Sequence, residues 1–164
     1  GIECNMHVLP KDHWQWIEYA AALAREHSRC GRSKCGSVIV RDGVVIGEGF
    51  NSPPGQLESQ SRCARKYELK DGFKSDRTCC VHAEQRAVMD ALKQRSGFLK
   101  GSTLYFVRLD DHDQPQASGK PYCTICSKMA LDAEIGWFVL WHGGDEITAY
   151  ETEEYNDLSF AYPL

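Results

Sequence analysis

The chain has 164 residues, of which 42% are hydrophobic and 26% are charged, and its formal net charge is −4. This composition excludes a disordered or collagen-like chain, and the length suits one domain with a full hydrophobic core. The acidic balance counts against a nucleic-acid-binding protein, although a local basic groove would still allow one. We therefore expect a single domain over residues 1–164.

The apolar segments carry no signal for a membrane. No run of residues reaches the length that spans a bilayer, and the N-terminus, GIECNMHVLPKDHWQW, lacks a basic-then-apolar signal peptide. We expect a cytoplasmic protein with no membrane partner. In the cytoplasm, cysteines indicate metal or redox chemistry rather than a disulfide framework. The chain has eight, at positions 4, 30, 35, 63, 79, 80, 123 and 126.

The first predicted elements are a helix and a hairpin. Asp12 and Gln15 resemble a capping box, and apolar residues then recur at helical spacing to about Arg29. Asp42-Gly43 lies between two β-branched runs, which is a strong sequence signal for a two-residue β-turn. We therefore predict strands near 37–41 and 44–50.

Residues 52–80 form the one long irregular segment, because they contain Pro53-Pro54-Gly55 and show no clear periodicity. Basic residues outnumber acidic residues here, so the segment is locally basic within an acidic chain. Two interpretations stay open, a solvated insertion and a lid that binds phosphate. In either case we treat 52–80 as an insertion in the domain.

The second half of the chain alternates helices and strands. A helix follows Ala83, a strand covers 102–108, a helix runs from Cys123 to about Ala133, and IGWFVLW is a further strand. A helix between two apolar strands predicts a parallel pair joined by a crossover. The segment ETEEYNDLSF indicates a last short helix.

Cys123 and Cys126 lie three residues apart at a predicted helix start. This spacing places both sulfur atoms on one helix face, and the helix N-terminus favours the thiolate forms that bind metals. A C-x-x-C motif alone fits a redox pair, a structural zinc site or a catalytic zinc site.

His82 and Glu84 reduce that ambiguity. His82 opens a second helix and supplies a third ligand, and three protein ligands leave a tetrahedral zinc one position for water. Glu84 can reach that water without being a fourth ligand. An H-A-E motif about forty residues before a C-x-x-C motif, each opening a helix, is typical of zinc deaminases.

In these motifs the chain resembles the cytidine deaminase-like superfamily. Its deoxycytidylate (dCMP) deaminase branch is the one that resembles the segment SRCGRSKCGSVIVRDGVVIGEGFNSPPG. The resemblance implies an α/β fold, a three-layer α/β/α sandwich with a five-stranded mixed sheet, and zinc between two helix N-termini. It assigns His82, Cys123 and Cys126 as zinc ligands and Glu84 as the proton shuttle. One departure is the extra Tyr122 between Pro121 and the first zinc cysteine.

The resemblance also implies substrate contacts. Asn51 matches an asparagine that contacts the sugar, and the backbone of Ala83 matches a contact to the base. We expect zinc-activated water to attack the carbon that bears the amine of a cytosine nucleotide or nucleoside, with Glu84 moving the protons. Position 86 is Arg where dCMP deaminases commonly carry Asn.

Several alternatives stay open at this point. They are a deaminase of tRNA or single-stranded nucleic acid, a free-base deaminase of the cytosine or guanine type, and a zinc-binding module without activity. Cys63, Cys79 and Cys80 allow a second zinc site, although Cys79 and Cys80 also suit a core. We further expect a homo-oligomer.

Overall fold

The structure is a computed structural model that describes residues 6–62 and 79–163. Its strands are β1 (Met6–Val8), β2 (Cys35–Arg41), β3 (Val44–Phe50), β4 (Thr103–Leu109), β5 (Pro115–Gln116), β6 (Trp137–Trp141) and β7 (Ile147–Glu151). Its helices are α1 (Trp14–His27), α2 (Ala83–Arg95), α3 (Thr124–Asp132) and α4 (Thr152–Phe160).

All seven strands form one mixed sheet, in the order β1-β7-β6-β4-β2-β3, with β5 paired to the end of β4. The β4–β6 pair is parallel, as the helix between them predicts, and the other pairs are antiparallel. The predicted α/β class and mixed sheet are therefore confirmed. The predicted number of five strands is wrong, because β1 and β5 are short additions that pair only with β7 and β4.

The sheet separates two apolar cores. Because side chains alternate along a strand, Val38 and Val40 face one side while Ile39 faces the other. The first side is covered by α1 through Ile17 and its alanines. The second side is covered by α2, α3 and α4. This arrangement is the predicted three-layer sandwich.

Two backbone features set the position of α2 against the sheet. The β2–β3 turn places Asp42 at φ 51° and Gly43 at φ 75°, which is the turn that the Asp-Gly pair predicts. At Gly49 a Cβ atom would lie 2.0 Å from the carbonyl oxygen of Ala83. Only glycine allows that approach, so Gly49 lets the first turn of α2 pack directly on β3.

The start of α1 differs from the prediction. The helix begins at Trp14 after a 3₁₀ turn, Lys11–His13, and no side chain caps it. Gln15 donates to the backbone oxygen of Asp12 instead of completing a capping box. Within residues 6–62 and 79–163, no helix combines the length and apolarity that a bilayer crossing requires.

Candidate metal centre

The first turns of α2 and α3 bring His82, Cys123 and Cys126 together. The Nδ1 atom of His82 lies 3.3 Å from both Sγ atoms, and the two Sγ atoms are 2.9 Å apart. In the described part of the chain, this is the one group of three metal-capable side chains whose ligand atoms converge. The structure therefore brings the three predicted zinc ligands into one cluster.

The donor set fits zinc. Two sulfur atoms and one imidazole nitrogen form a common catalytic zinc environment, in which three protein ligands leave one position open. Tetrahedral zinc with bonds of about 2.3 Å to sulfur would hold two sulfur atoms about 3.8 Å apart. The observed spacing is shorter by less than 1 Å, so small side-chain movements would seat the ion.

Hydrogen bonds at the start of α2 hold His82 in place. The backbone N–H of His82 donates to the side-chain oxygen of Gln85 at 3.0 Å, and its backbone oxygen accepts from the N–H of Arg86. Val81, the preceding residue, pairs with Ser52 in an isolated antiparallel bridge. The backbone that carries His82 is therefore held on both sides.

The protonation of the two cysteines favours the binding of a cation. The hydrogen bond from the Cys126 thiol is the largest of several effects that lower the pKa of Cys123, with His82 adding to them. Burial, followed by the hydrogen bond to Cys123, raises the pKa of Cys126. The pair therefore shares one proton, which metal binding would release.

Glu84 lies beside this cluster and outside it. Its side chain is 5% exposed, and its carboxyl group contacts the Cys126 thiol. Burial, with a contribution from the charge of Cys123, raises the pKa of Glu84 to about 7. A carboxyl group with that pKa exchanges protons readily near neutral pH.

The predicted substrate contacts have different surroundings. Ala83 is the first residue of α2, so its N–H lacks an intrahelical acceptor. The side chain of Asn51 is buried and holds the 28–35 loop, because its oxygen accepts from the Cys35 N–H at 2.8 Å and its nitrogen donates to the Ser33 oxygen at 2.8 Å. That bond uses one of the two amide hydrogens of Asn51.

Two residues near the cluster are missing from the sequence-based prediction. Arg108 is the penultimate residue of β4, and its guanidinium donates to the hydroxyl of Tyr122. Tyr155 of α4 stacks on Phe138, with ring centroids 3.9 Å apart. A charged residue at the carboxyl end of an apolar strand in a parallel pair was the available signal for Arg108, because ligands bind at that edge of α/β sheets.

The second zinc site is not tested. Cys63 lies outside the described residues, and so do Arg65 and Lys66 of the basic insertion. The Sγ atoms of Cys79 and Cys80 are 3.4 Å apart and partly buried. A site formed by Cys63, Cys79 and Cys80 stays a prediction.

Comparison with known proteins identifies a family. The family model described as the cytidine and deoxycytidylate deaminase zinc-binding region matches residues 10–141, which include His82, Cys123 and Cys126. The matched region is a zinc-binding one, so the prediction of a zinc cofactor is confirmed.

Individual relatives agree with this match. The chain is 36% identical over 103 residues to the deoxycytidylate deaminase of Mycobacterium phage D29, covering 57% of this chain and 77% of that protein. It is 34% identical over 108 residues to the Saccharomyces cerevisiae deoxycytidylate deaminase, covering 63% of this chain but only 33% of that protein.

Among solved structures, dCMP deaminase from cyanophage S-TIM5, in complex with dCMP and dUMP, superposes with a TM-score of 0.56 at 25% identity. The match covers 80% of this chain and 82% of that chain. A cytidine deaminase from Burkholderia pseudomallei has a TM-score of 0.55 at 19% identity and covers 87% of this chain and 94% of that chain, which supports the fold alone.

Proposed function

Because this chain belongs to the cytidine and deoxycytidylate deaminase family, we propose that it hydrolyses the amine of a cytosine-containing nucleotide such as dCMP and releases ammonia. The observation that carries this proposal is the buried Glu84 carboxyl group beside the His82, Cys123 and Cys126 cluster. The phage relatives, a deoxycytidylate deaminase and a dCMP deaminase bound to dCMP and dUMP, support the substrate class.

We assign the metal to His82, Cys123 and Cys126. When bound there, zinc supplies the Lewis acidity that activates water. Two thiolates and one imidazole would leave the ion with little net charge, and the Glu84 carboxyl group lies beside the cluster, in contact with Cys126. Among the described residues, the cluster contains three metal-capable side chains and no fourth. A hydrolytic zinc site needs this open position for water.

Glu84 is assigned the proton transfers. Its carboxylate accepts a proton from the attacking water and delivers it to the pyrimidine ring nitrogen. It then takes the second proton from the hydroxyl group newly attached to the ring carbon and delivers it to the departing amine, which leaves as ammonia. Its pKa of about 7 allows both protonation states at neutral pH. Because the carboxyl group is buried, bulk solvent has little access to it.

Two contacts would orient the substrate. The N–H of Ala83 at the start of α2 is available to the carbonyl oxygen of the base. The second amide hydrogen of Asn51 is assigned to the sugar, while the first holds Ser33. Arg86 supports this position, since its guanidinium donates to the Phe50 oxygen at 2.5 Å and covers the Phe50 ring.

The test is ammonia release from a panel of substrates by the zinc-loaded protein. The panel contains cytosine, guanine and adenine substrates as free bases, nucleosides, monophosphates and single-stranded oligonucleotides. We expect the highest kcat/KM for dCMP. A higher value for a free base or an oligonucleotide would contradict the proposal in favour of the free-base or nucleic-acid alternative.

Glu84→Gln is the matched variant for this panel. It preserves the size of the side chain but removes the exchangeable proton, so we expect activity to fall by about a hundredfold or more while zinc is retained. Full activity in Glu84→Gln would contradict the assigned mechanism.

A homo-oligomer in the cytoplasm stays a prediction, which sedimentation of the purified protein and its localisation in cells would test.

A further inference from the structure

The loop between β5 and α3 crosses the carboxyl ends of the parallel strands β4 and β6. It begins at β5, which pairs with the end of β4. It then reaches β6, where the N–H of Ser118 donates to the oxygen of Trp141 at 2.7 Å, and it ends at Cys123, which caps α3. We call residues 117–122 the crossing loop. Ligands commonly bind at this edge of α/β sheets.

The crossing loop lines a pocket that adjoins the metal centre. Residues 117–120 and Tyr122 contribute to the lining, as do the apolar side chains of Leu140 and Tyr155. Tyr122 directly precedes the metal ligand Cys123 in the sequence. The position of the loop therefore affects both the shape of the pocket and the placement of one ligand.

The imidazole of His142 holds the crossing loop at the end of β6. Its Nδ1 atom lies 2.9 Å from the backbone oxygen of Ser118. Because a carbonyl oxygen only accepts, Nδ1 carries a hydrogen and donates it. Together with the bond to Trp141, this contact fixes both backbone polar groups of Ser118 on two consecutive residues. The loop is thus anchored at its second residue.

The backbone of His142 is held by a tight turn. Its N–H donates to the oxygen of Glu146 at 2.8 Å, and the turn places Gly143 at φ 106°, which residues with a side chain rarely adopt. A Cβ atom on Gly143 would lie 3.6 Å from the Cβ atom of Ala117, so the turn also packs on the crossing loop. The imidazole therefore reaches Ser118 from a rigid support.

The second ring nitrogen connects His142 to the apolar lining of the pocket. Nε2 lies 2.8 Å from the Tyr150 hydroxyl, from which it accepts when the ring is neutral. The buried Tyr150 ring meets the Tyr155 ring edge-on, with centroids 6.0 Å apart. Since Tyr155 lines the pocket, His142 joins the crossing loop to the side chains of β7 and α4.

We propose that His142 is a positioning residue for the reaction, an inference that rests on the proposed function. It holds the crossing loop through Ser118 and thereby fixes the shape of the substrate pocket. His142 is not among the described residues that line the pocket, so it acts through the loop and not on the substrate. Its bond to Ser118 forms in the neutral ring and in the protonated ring, because Nδ1 carries a hydrogen in both.

Two amide substitutions separate the two ring nitrogens. The side-chain nitrogen of asparagine is as many bonds from Cβ as Nδ1 is, whereas the side-chain nitrogen of glutamine corresponds to Nε2. His142→Asn therefore keeps a donor for the Ser118 oxygen, and His142→Gln loses it. The position is half-buried, so both amides can be accommodated.

The first measurement is the steady-state kinetics of dCMP deamination by the zinc-loaded protein. We expect kcat/KM to fall by roughly two- to tenfold in His142→Gln, the range for one lost hydrogen bond, through a higher KM at unchanged kcat. His142→Asn should rescue KM to the wild-type value. His112→Gln is the matched control, because His112 is exposed in the turn between β4 and β5 and should leave KM unchanged.

Amide hydrogen exchange supplies a readout that does not depend on turnover. In the protein without substrate, with and without zinc, the amides of the crossing loop should exchange faster in His142→Gln than in the wild type. The amides of α1 should exchange at the wild-type rate, which a general loss of stability would not allow. Tyr150→Phe keeps the ring contact with Tyr155 but removes the partner of Nε2, so it should change loop exchange and KM in the same direction. It carries the test if His142→Gln does not fold.

The outcomes separate this inference from the proposed function. A wild-type protein that deaminates no cytosine substrate contradicts the proposed function, while loop exchange still tests the hold of His142 on Ser118. An active wild type with unchanged KM and unchanged loop exchange in His142→Gln overturns only the positioning role. Equal increases in KM in His142→Asn and His142→Gln would overturn it as well, because the donor to Ser118 would then not matter.

Discussion

The two faces of the sheet bury different kinds of side chain. The face under α1 is apolar, with Ile17 fully buried against the sheet, and the Tyr105 hydroxyl group on this face is hydrogen-bonded to His13. The face under α2, α3 and α4 has an apolar core of similar extent, but beside that core it buries Glu84 and two metal-binding thiols.

This difference shows where folding free energy is gained and where it is spent. Side chains such as Ile17 stabilise the fold by leaving water. A buried carboxyl group with a raised pKa destabilises it, because its charged form loses hydration. The α1 face therefore supports a second face that is arranged for chemistry, and substitutions on the two faces should separate stability from activity.

The largest effect is expected for Cys126→Ser. Serine is a poor ligand for zinc, and the remaining Cys123 and His82 cannot form a three-ligand site. We expect the variant to lose most of its zinc, its activity and part of its thermal stability, measured by metal analysis, ammonia release and calorimetry. Zinc content equal to that of the wild type would refute the ligand assignment.

Ile17→Ala should show the opposite separation on the α1 face. Ile17 is fully buried, so its truncation should lower the free energy of unfolding by about 2–5 kcal/mol, measured by denaturant titration. The kcat of the folded variant should equal that of the wild type. Met89→Ala is the control, because Met89 is 41% exposed on α2 and should change stability little. A large loss of kcat in Ile17→Ala would contradict the separation of stability and activity between the two faces.

Glu84→Gln should stabilise the zinc-free protein above about pH 4.5, with the full effect reached near neutral pH. The pKa of Glu84 rises from 4.5 to about 7 on folding, so the ionised carboxylate penalises the folded state. That penalty is absent below about pH 4.5, grows as the pH rises to 7 and is constant above it, with a magnitude of about 3 kcal/mol. Denaturant titrations at pH 4 and pH 8 with a chelator measure it. A Gln variant less stable than the wild type at pH 8 would contradict the burial argument.

The smallest effect is expected for Tyr105→Phe. The Tyr105 hydroxyl lies 2.7 Å from the Nδ1 atom of His13, and this bond ties the start of α1 to β4. Its loss should cost about 0.5–1.5 kcal/mol of unfolding free energy, with kcat unchanged. A loss of several kcal/mol would mean that this hydrogen bond anchors α1 more strongly than its apolar contacts do.

The chemistry of the site is more visible in the sequence than its walls are. Metal ligation demands specific residue types, so His82, Cys123 and Cys126 stand out at helix starts without any knowledge of their neighbours. The parallel β4–β6 pair was equally predictable from the helix between two apolar runs. Both predictions depend on local pattern.

Features that depend on distant parts of the chain were not predictable. The strands β1 and β5 have three and two residues, and such lengths carry no periodicity. The pairing of Arg108 with Tyr122 depends on the path of a turn-rich loop whose conformation no short motif specifies. Likewise, Asn51 reads as a substrate contact, whereas its hydrogen bonds to the 28–35 loop are visible only in three dimensions.

The distribution of the metal ligands along the chain also has a kinetic consequence. Cys123 and Cys126 lie in one turn, so the chain can offer two sulfur atoms to zinc as soon as α3 forms. His82 is far from them in the sequence, so we expect it to join them only after α2 has docked on β3 and the parallel β4–β6 pair has formed, which are non-local and therefore slower steps. Zinc present during refolding should therefore bind first to a two-sulfur intermediate, and its final coordination should appear in a later, slower phase.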